Sequence, residues 1–109
     1  MISDEELDQI AVGWIEEFSV DPYVLRQRET EAWSKLDRLI YDHPRDALRV
    51  FESMAQRDMI NWTFEGVSAG PLRTFLMLYS DRYDDELNAI RKRISAFDEM
   101  HVMAAEGMG

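Results

Sequence analysis

The chain lacks residues on which whole classes of protein depend. It has no cysteine in 109 residues, which excludes disulfides, thiolate metal sites and cysteine nucleophiles. Its two histidines, His43 and His101, stand far apart, so a zinc site would need carboxylates for most of its ligands. No apolar run approaches the ~20 residues that span a bilayer, and the N-terminus is acidic where a signal peptide is basic. We therefore expect a cytoplasmic protein that binds no membrane, metal or cofactor.

Basic residues are scarce as well. Twelve Lys and Arg stand against 22 Asp and Glu, for a formal net charge of −10. Nucleic-acid binding relies on basic side chains that neutralise phosphates, so this charge argues against direct nucleic-acid binding. It favours a partner protein with a basic surface, although a net charge far from zero also serves solubility.

Sequence motifs that carry known chemistry are missing. The chain has no nucleophile elbow, P-loop or dinucleotide fingerprint. Its densest acidic cluster, at 81–86, lacks the central glycine and the ligand spacing of a calcium loop. The acidic residues at the start of this predicted helix and the basic residues at 91–93 towards its end are explained by the helix dipole. No catalytic residue stands out, and the sequence favours a non-enzymatic protein without deciding the point.

The apolar content is sufficient for a core. Hydrophobic residues make up 46% of the chain and aromatic residues 11%, and they recur at helical spacing with no paired strand-like runs. We expect an all-α, compact bundle of six or seven short helices that forms a single domain over residues 1–109. The helices are expected at 3–19, 22–42 with a break between 27 and 30, 44–57, 61–68, 71–79, 82–97 and 98–106.

Several residues are expected to set the boundaries of these helices. Ser3 and Glu6 form a capping box at the first helix, with Ile2 and Leu7 at the staple positions. Gly70-Pro71 is expected to end one element and begin the next. The helix at 71–79 is apolar almost all round, which places it in the middle of the bundle. Asp98 is expected to cap the last helix.

The aromatic residues fall into two groups. Four lie on apolar stripes and are expected in the core: Trp14, Trp33, Phe51 and Phe97. Trp62 and Phe64 lie instead in a less regular segment, where they are either core residues or an exposed recognition patch. Val12 lies off the stripe of the first helix, which leaves a homodimer open.

Two stretches resemble a family of small bacterial all-helical proteins of unknown function. One runs from Leu36 to Phe51, and the other is the Ala-Gly-Pro-Leu element at 69–72 that starts an apolar helix. The likeness covers roughly residues 30–108. Arg73 and Tyr79-Ser80 stand where members of that family often carry an acidic residue and a His-Gly pair. The resemblance implies an all-helical domain and brings no catalytic residues.

Two functions from different classes fit these observations. The first is a non-enzymatic acidic protein-binding module, an immunity- or antitoxin-type inhibitor of a basic partner protein. Its acidic face would comprise Glu5, Glu16, Glu17, Asp84 and Asp85, and its anchors would be Trp62 and Phe64. The second is a small-molecule-binding or enzymatic domain with a pocket between helices, whose polar groups would include His43, Asp46 and Arg73. Nucleic-acid mimicry ranks lower, because the acids are spread over several helix starts.

Overall fold

The structure, a computed structural model, describes residues 3–18 and 31–106, and within these ranges it contains helices and no strand. The helices are α1 (Asp4–Phe18), α2 (Glu31–Asp42), α3 (Pro44–Ala55), α4 (Asn61–Val67), α5 (Arg73–Tyr79), α6 (Asp84–Arg93) and α7 (Ser95–Glu106). A π-helical turn, Ser68–Leu72, joins α4 to α5. The Cα radius of gyration is 12.8 Å, close to the ~13 Å of a folded chain of about 100 residues. The all-α compact bundle is confirmed.

The start of α1 follows the expected capping pattern. The Glu6 amide donates to the Ser3 hydroxyl at 3.2 Å, and the Leu7 amide donates to the Ser3 carbonyl at 3.1 Å. These bonds satisfy amides that the first turn of a helix leaves free. The expected staple with Ile2 and the expected break between 27 and 30 lie outside the described residues.

The core lies where α1, α2, α3 and α7 meet the α4–α5 segment. Its largest fully buried side chains include Trp14, Leu36, Phe51, Met54, Phe75, Phe97 and Met100. Trp33 was predicted in the core, but it is only partly buried and packs against the core from outside. Its ring lies at the edge of the core, with its centroid 6.0 Å from that of Trp14 and 5.5 Å from that of Phe18.

Gly70-Pro71 does not separate two elements, contrary to the prediction. The helical backbone runs from α4 into α5 through the π-helical turn that contains Pro71. Proline lacks an amide hydrogen and clashes with the carbonyl four residues earlier, and a widened turn is one way for a helix to accommodate it. Two hydroxyls bind carbonyl groups around this turn: Ser68 donates to Phe64 at 2.8 Å and Thr74 to Gly70 at 3.2 Å.

The segment at 71–79 is not central on all sides either. Phe75 and Leu76 are buried, but Met77 is 68% exposed and Leu78 is 48% exposed. The helix therefore packs through one side and leaves apolar side chains on the other, so composition alone overstated its burial.

The last two helices meet earlier than predicted. Helix α6 ends at Arg93, Ile94 is extended, and α7 begins at Ser95. The Ile94 carbonyl accepts the amides of Phe97 and Asp98, so the start of α7 does not depend on Asp98 as a cap. The Asp98 carboxylate instead accepts a hydrogen bond from Arg91 Nε at 2.7 Å, which ties α7 to α6.

Candidate functional site

The last turn of α1 carries two negative charges and no basic residue. The charges belong to Glu16 and Glu17. Neither carboxylate forms an ion pair within the described residues, and Glu17 Oε2 is buried without a hydrogen-bond donor. Because the carboxyl end of a helix already carries partial negative charge, both side chains are placed unfavourably in the free protein.

Trp62 lies directly beside this end of α1. Its indole Nε1 donates to the Phe18 carbonyl at 2.9 Å, and the Thr63 hydroxyl donates to the same oxygen at 3.2 Å. These bonds satisfy a carbonyl that the helix end would otherwise leave without a partner. The side chain is nevertheless 44% exposed, so Trp62 both caps α1 and presents an aromatic surface.

Other predicted residues extend this surface to different degrees. Phe64 is half-buried and packs against the core, so it supports the segment more than it offers a contact. Glu5 is exposed and lies roughly three turns before Glu16 on the same side of α1. Glu5, Val12 and Glu16 line a shallow groove along that side. Glu65 on α4 is also exposed and was not part of the predicted set.

Further acidic residues line a cleft between α1 and α2. Its volume is about 560 Å³, and Ile10, Ala32 and Leu39 contribute apolar surface. Its described charged residues are Glu6, Glu17, Glu31 and Asp42, with Lys35 and Arg38 as the basic members. Glu31 pairs with Lys35 at 3.0 Å. The remaining charged residues of the cleft are three acidic residues and one arginine: Glu6, Glu17, Asp42 and Arg38.

Asp84 and Asp85 lie on a different part of the molecule. They occupy the first turn of α6, whose last turn holds Arg91, Lys92 and Arg93. Helix α1 packs against α2, α3 and α4, whereas α6 packs against α7. The structure thus separates these two aspartates from Glu16 and Glu17, and the helix dipole accounts for their position.

A second cleft has a different chemical character. It has a volume of about 510 Å³ and lies between the α2–α3 corner and the turn that follows α5. Its lining residues are Tyr41, Asp42, His43, Pro44, Arg45, Asp46, Tyr79, Arg82 and Tyr83. We call it the Arg–Tyr cleft. The guanidinium carbons of Arg45 and Arg82 lie 5.7 Å and 5.5 Å from the centroid of the buried Tyr83 ring.

The pocket residues expected from the sequence are only partly together. His43 and Asp46 line the Arg–Tyr cleft, whereas Arg73 is elsewhere and donates through Nε to the Ala104 carbonyl at 3.1 Å. Sequence reasoning missed the arginines and tyrosines of this cleft. One signal was present, because Tyr79, Arg82 and Tyr83 recur at three- and four-residue spacing.

The described residues contain neither a metal-ligand cluster nor a membrane-spanning helix. No group of three or more potential ligand side chains suitable for a metal ion occurs among these residues. None of their helices combines the length and apolar character needed to cross a membrane. Comparison with family models, curated proteins and solved structures finds no match to this chain. The resemblance to small bacterial helical proteins therefore stays a prediction.

Proposed function

We propose that this protein is a non-enzymatic binding module that recognises a basic partner protein, as an immunity- or antitoxin-type inhibitor does. The contact surface consists of Glu16, Glu17, Trp62 and Glu65, which we call the α1-end surface. One observation carries the proposal: two carboxylates that have no ion-pair partner in the described part of the chain lie at the negative end of α1, beside an exposed tryptophan.

The electrostatics of the α1-end surface favour a cationic partner. Glu16 and Glu17 repel each other and the helix end in the free protein, and basic side chains of a partner would relieve that repulsion. Opposite charges also steer two proteins together and raise the association rate, an effect that falls with ionic strength. Glu5 extends the same charge along α1.

Trp62 provides the anchor of the proposed contact. Tryptophan is enriched among interface residues that contribute most of the binding free energy. The bond from its indole nitrogen to the Phe18 carbonyl holds the ring at the end of α1, so little side-chain freedom is lost on binding. Asp84 and Asp85 are left out of the surface, because they lie on α6.

The test compares two variants that each remove two negative charges. Glu16→Gln/Glu17→Gln alters the proposed surface, and Asp84→Asn/Asp85→Asn is the matched control. Each tagged protein is used to capture partners from a cytoplasmic extract of the native host, where the proposal places the encounter. A captured protein is then purified, and its association rate is measured at several salt concentrations.

We expect the wild-type protein and the α6 control to bind the same basic protein, with an association rate that falls as salt is added. The α1 variant is expected to bind it at least roughly tenfold more weakly, since charged contacts at interfaces commonly contribute more than 1.4 kcal/mol. The proposal would be overturned if the two variants lost the same amount of binding affinity, or if the captured partner had an acidic surface. Trp62→Phe, which keeps an aromatic ring, should retain more binding than Trp62→Ala.

A further inference from the structure

The Arg–Tyr cleft brings two arginines together in an otherwise acidic protein. Its two arginines approach the same buried ring, that of Tyr83. Arg45 pairs with Glu86 at 3.3 Å, but Arg82 has no carboxylate partner in the described chain. An anion placed between the two guanidinium groups would be attracted by both.

The two aspartates of the cleft balance its arginines to different degrees. The Asp46 carboxylate accepts a hydrogen bond from Arg49 at 3.3 Å and is largely buried, so its charge is already paired. Asp42 is exposed and has no ion-pair partner among the described residues. Within that part of the chain, Arg82 and Asp42 thus line the cleft without an ion-pair partner, and their opposite signs allow the charge of a ligand to be tested.

The tyrosines add a surface for a planar ring. Tyr41 is 58% exposed at the edge of the cleft, and Tyr79 is half-buried with its centroid 5.9 Å from that of Tyr83. Aromatic side chains bind planar groups by stacking or edge-to-face contact. The volume of about 510 Å³ falls in the ~300–1,000 Å³ range of small-molecule sites.

We propose that the Arg–Tyr cleft binds a small organic anion that carries a planar ring. Its carboxylate or phosphate monoester lies between Arg45 and Arg82, and its ring packs against Tyr41. The site does not depend on the α1-end surface, because the two share no residue.

Isothermal titration calorimetry of the full chain tests the ligand class with four probes. Adenosine monophosphate and benzoate carry both a ring and an anionic group, adenosine carries only a ring, and inorganic phosphate only an anion. We expect saturable binding of at least one of the first two, with adenosine and phosphate at least tenfold weaker. Preference between the first two distinguishes a phosphate ester from a carboxylate as the natural ligand. Binding of neither one overturns the proposal.

Variants then test the site with the probe that binds. Arg82→Gln should weaken binding roughly tenfold or more, because a charge-assisted hydrogen bond is lost. Asp42→Asn should tighten it, since a repulsive carboxylate is removed, and Tyr41→Ala should weaken it. The matched control is Arg38→Gln, an exposed arginine outside this cleft, and it should leave affinity unchanged. The reversed pattern, in which Arg82→Gln tightens binding and Asp42→Asn weakens it, would show that the cleft binds a cation, and an effect of Arg38→Gln equal to that of Arg82→Gln would place the ligand elsewhere.

Discussion

At the residue scale, the glutamates at the end of α1 differ from the aspartates at the start of α6 in the sign of their effect on stability. Glu16→Gln/Glu17→Gln should raise the free energy of unfolding by about 0.3–1 kcal/mol, because it removes charge from the negative end of a helix. Asp84→Asn/Asp85→Asn should lower it by a similar amount. Urea denaturation at low salt measures both changes, and both should shrink as salt is added. Shifts of the same sign would contradict the assignment of these charges to opposite helix ends.

Two aromatic residues with different burial provide a second comparison. Phe51 is fully buried, so Phe51→Ala should lower the free energy of unfolding by about 3–5 kcal/mol. Trp33 is only partly buried, so Trp33→Ala should cost less even though its side chain is larger. Thermal melting of both variants checks the order. A Phe51→Ala protein that melts like the wild type would contradict the placement of α3 in the core.

At the scale of single helices, Gly13 offers a way to strengthen α1. It lies inside the helix, where glycine is less favourable than alanine by about 0.5–1 kcal/mol. A Cβ atom added there would lie 3.7 Å from the Cβ of Ala32, an ordinary contact. Gly13→Ala should therefore raise the free energy of unfolding by about that amount, as measured by urea denaturation. A loss of stability would indicate that α1 and α2 approach more closely than the structure shows.

Helix α7 contains His101, whose titration the fold changes. Burial lowers the pKa of His101 below its ordinary value of 6.5, Arg91 lowers it further, and Asp98 and Asp84 oppose the shift. The pH window lies between the pKa of His101 in the unfolded chain and its lower pKa in the folded protein. As the pH falls through this window, the unfolded chain binds the proton first. The stability that is present above the window is therefore lost within it. His101→Gln should remove this loss. The check is the difference in unfolding free energy between wild type and variant from about pH 7.5 to pH 5, and parallel curves would contradict it.

At the scale of the whole molecule, the spacing of apolar residues was enough to predict the helices. Ser3, Leu36 and Phe51 have the roles that local pattern assigns to them, because caps and apolar stripes depend on neighbours within one or two turns. The π-helical turn at Pro71 and the corner at Ile94 were not predicted, because each depends on contacts between helices. Sequence favoured a break at proline, whereas packing of both flanking helices keeps the helix continuous.

The candidate sites were less predictable than the fold. The sequence identified Glu16, Glu17 and Trp62 but grouped them with Asp84 and Asp85, since charge alone does not indicate which helices are neighbours. The Arg–Tyr cleft joins residues around 45 to residues around 82, a proximity that only the packed bundle creates. Two arginines therefore lie together in a chain whose net charge of −10 gives no sign of such a site.

The π-helical turn also determines how this chain tolerates changes in length. A π-helical hydrogen bond encloses one more residue than an α-helical one, so such a turn takes up an inserted residue while the flanking helices keep their orientation. A homologous chain that lacks Pro71 would run through the same place as a regular α-helix. Val67 and Phe75 would still face the core, and a gap of one position at this turn is the expected mark of such a homologue.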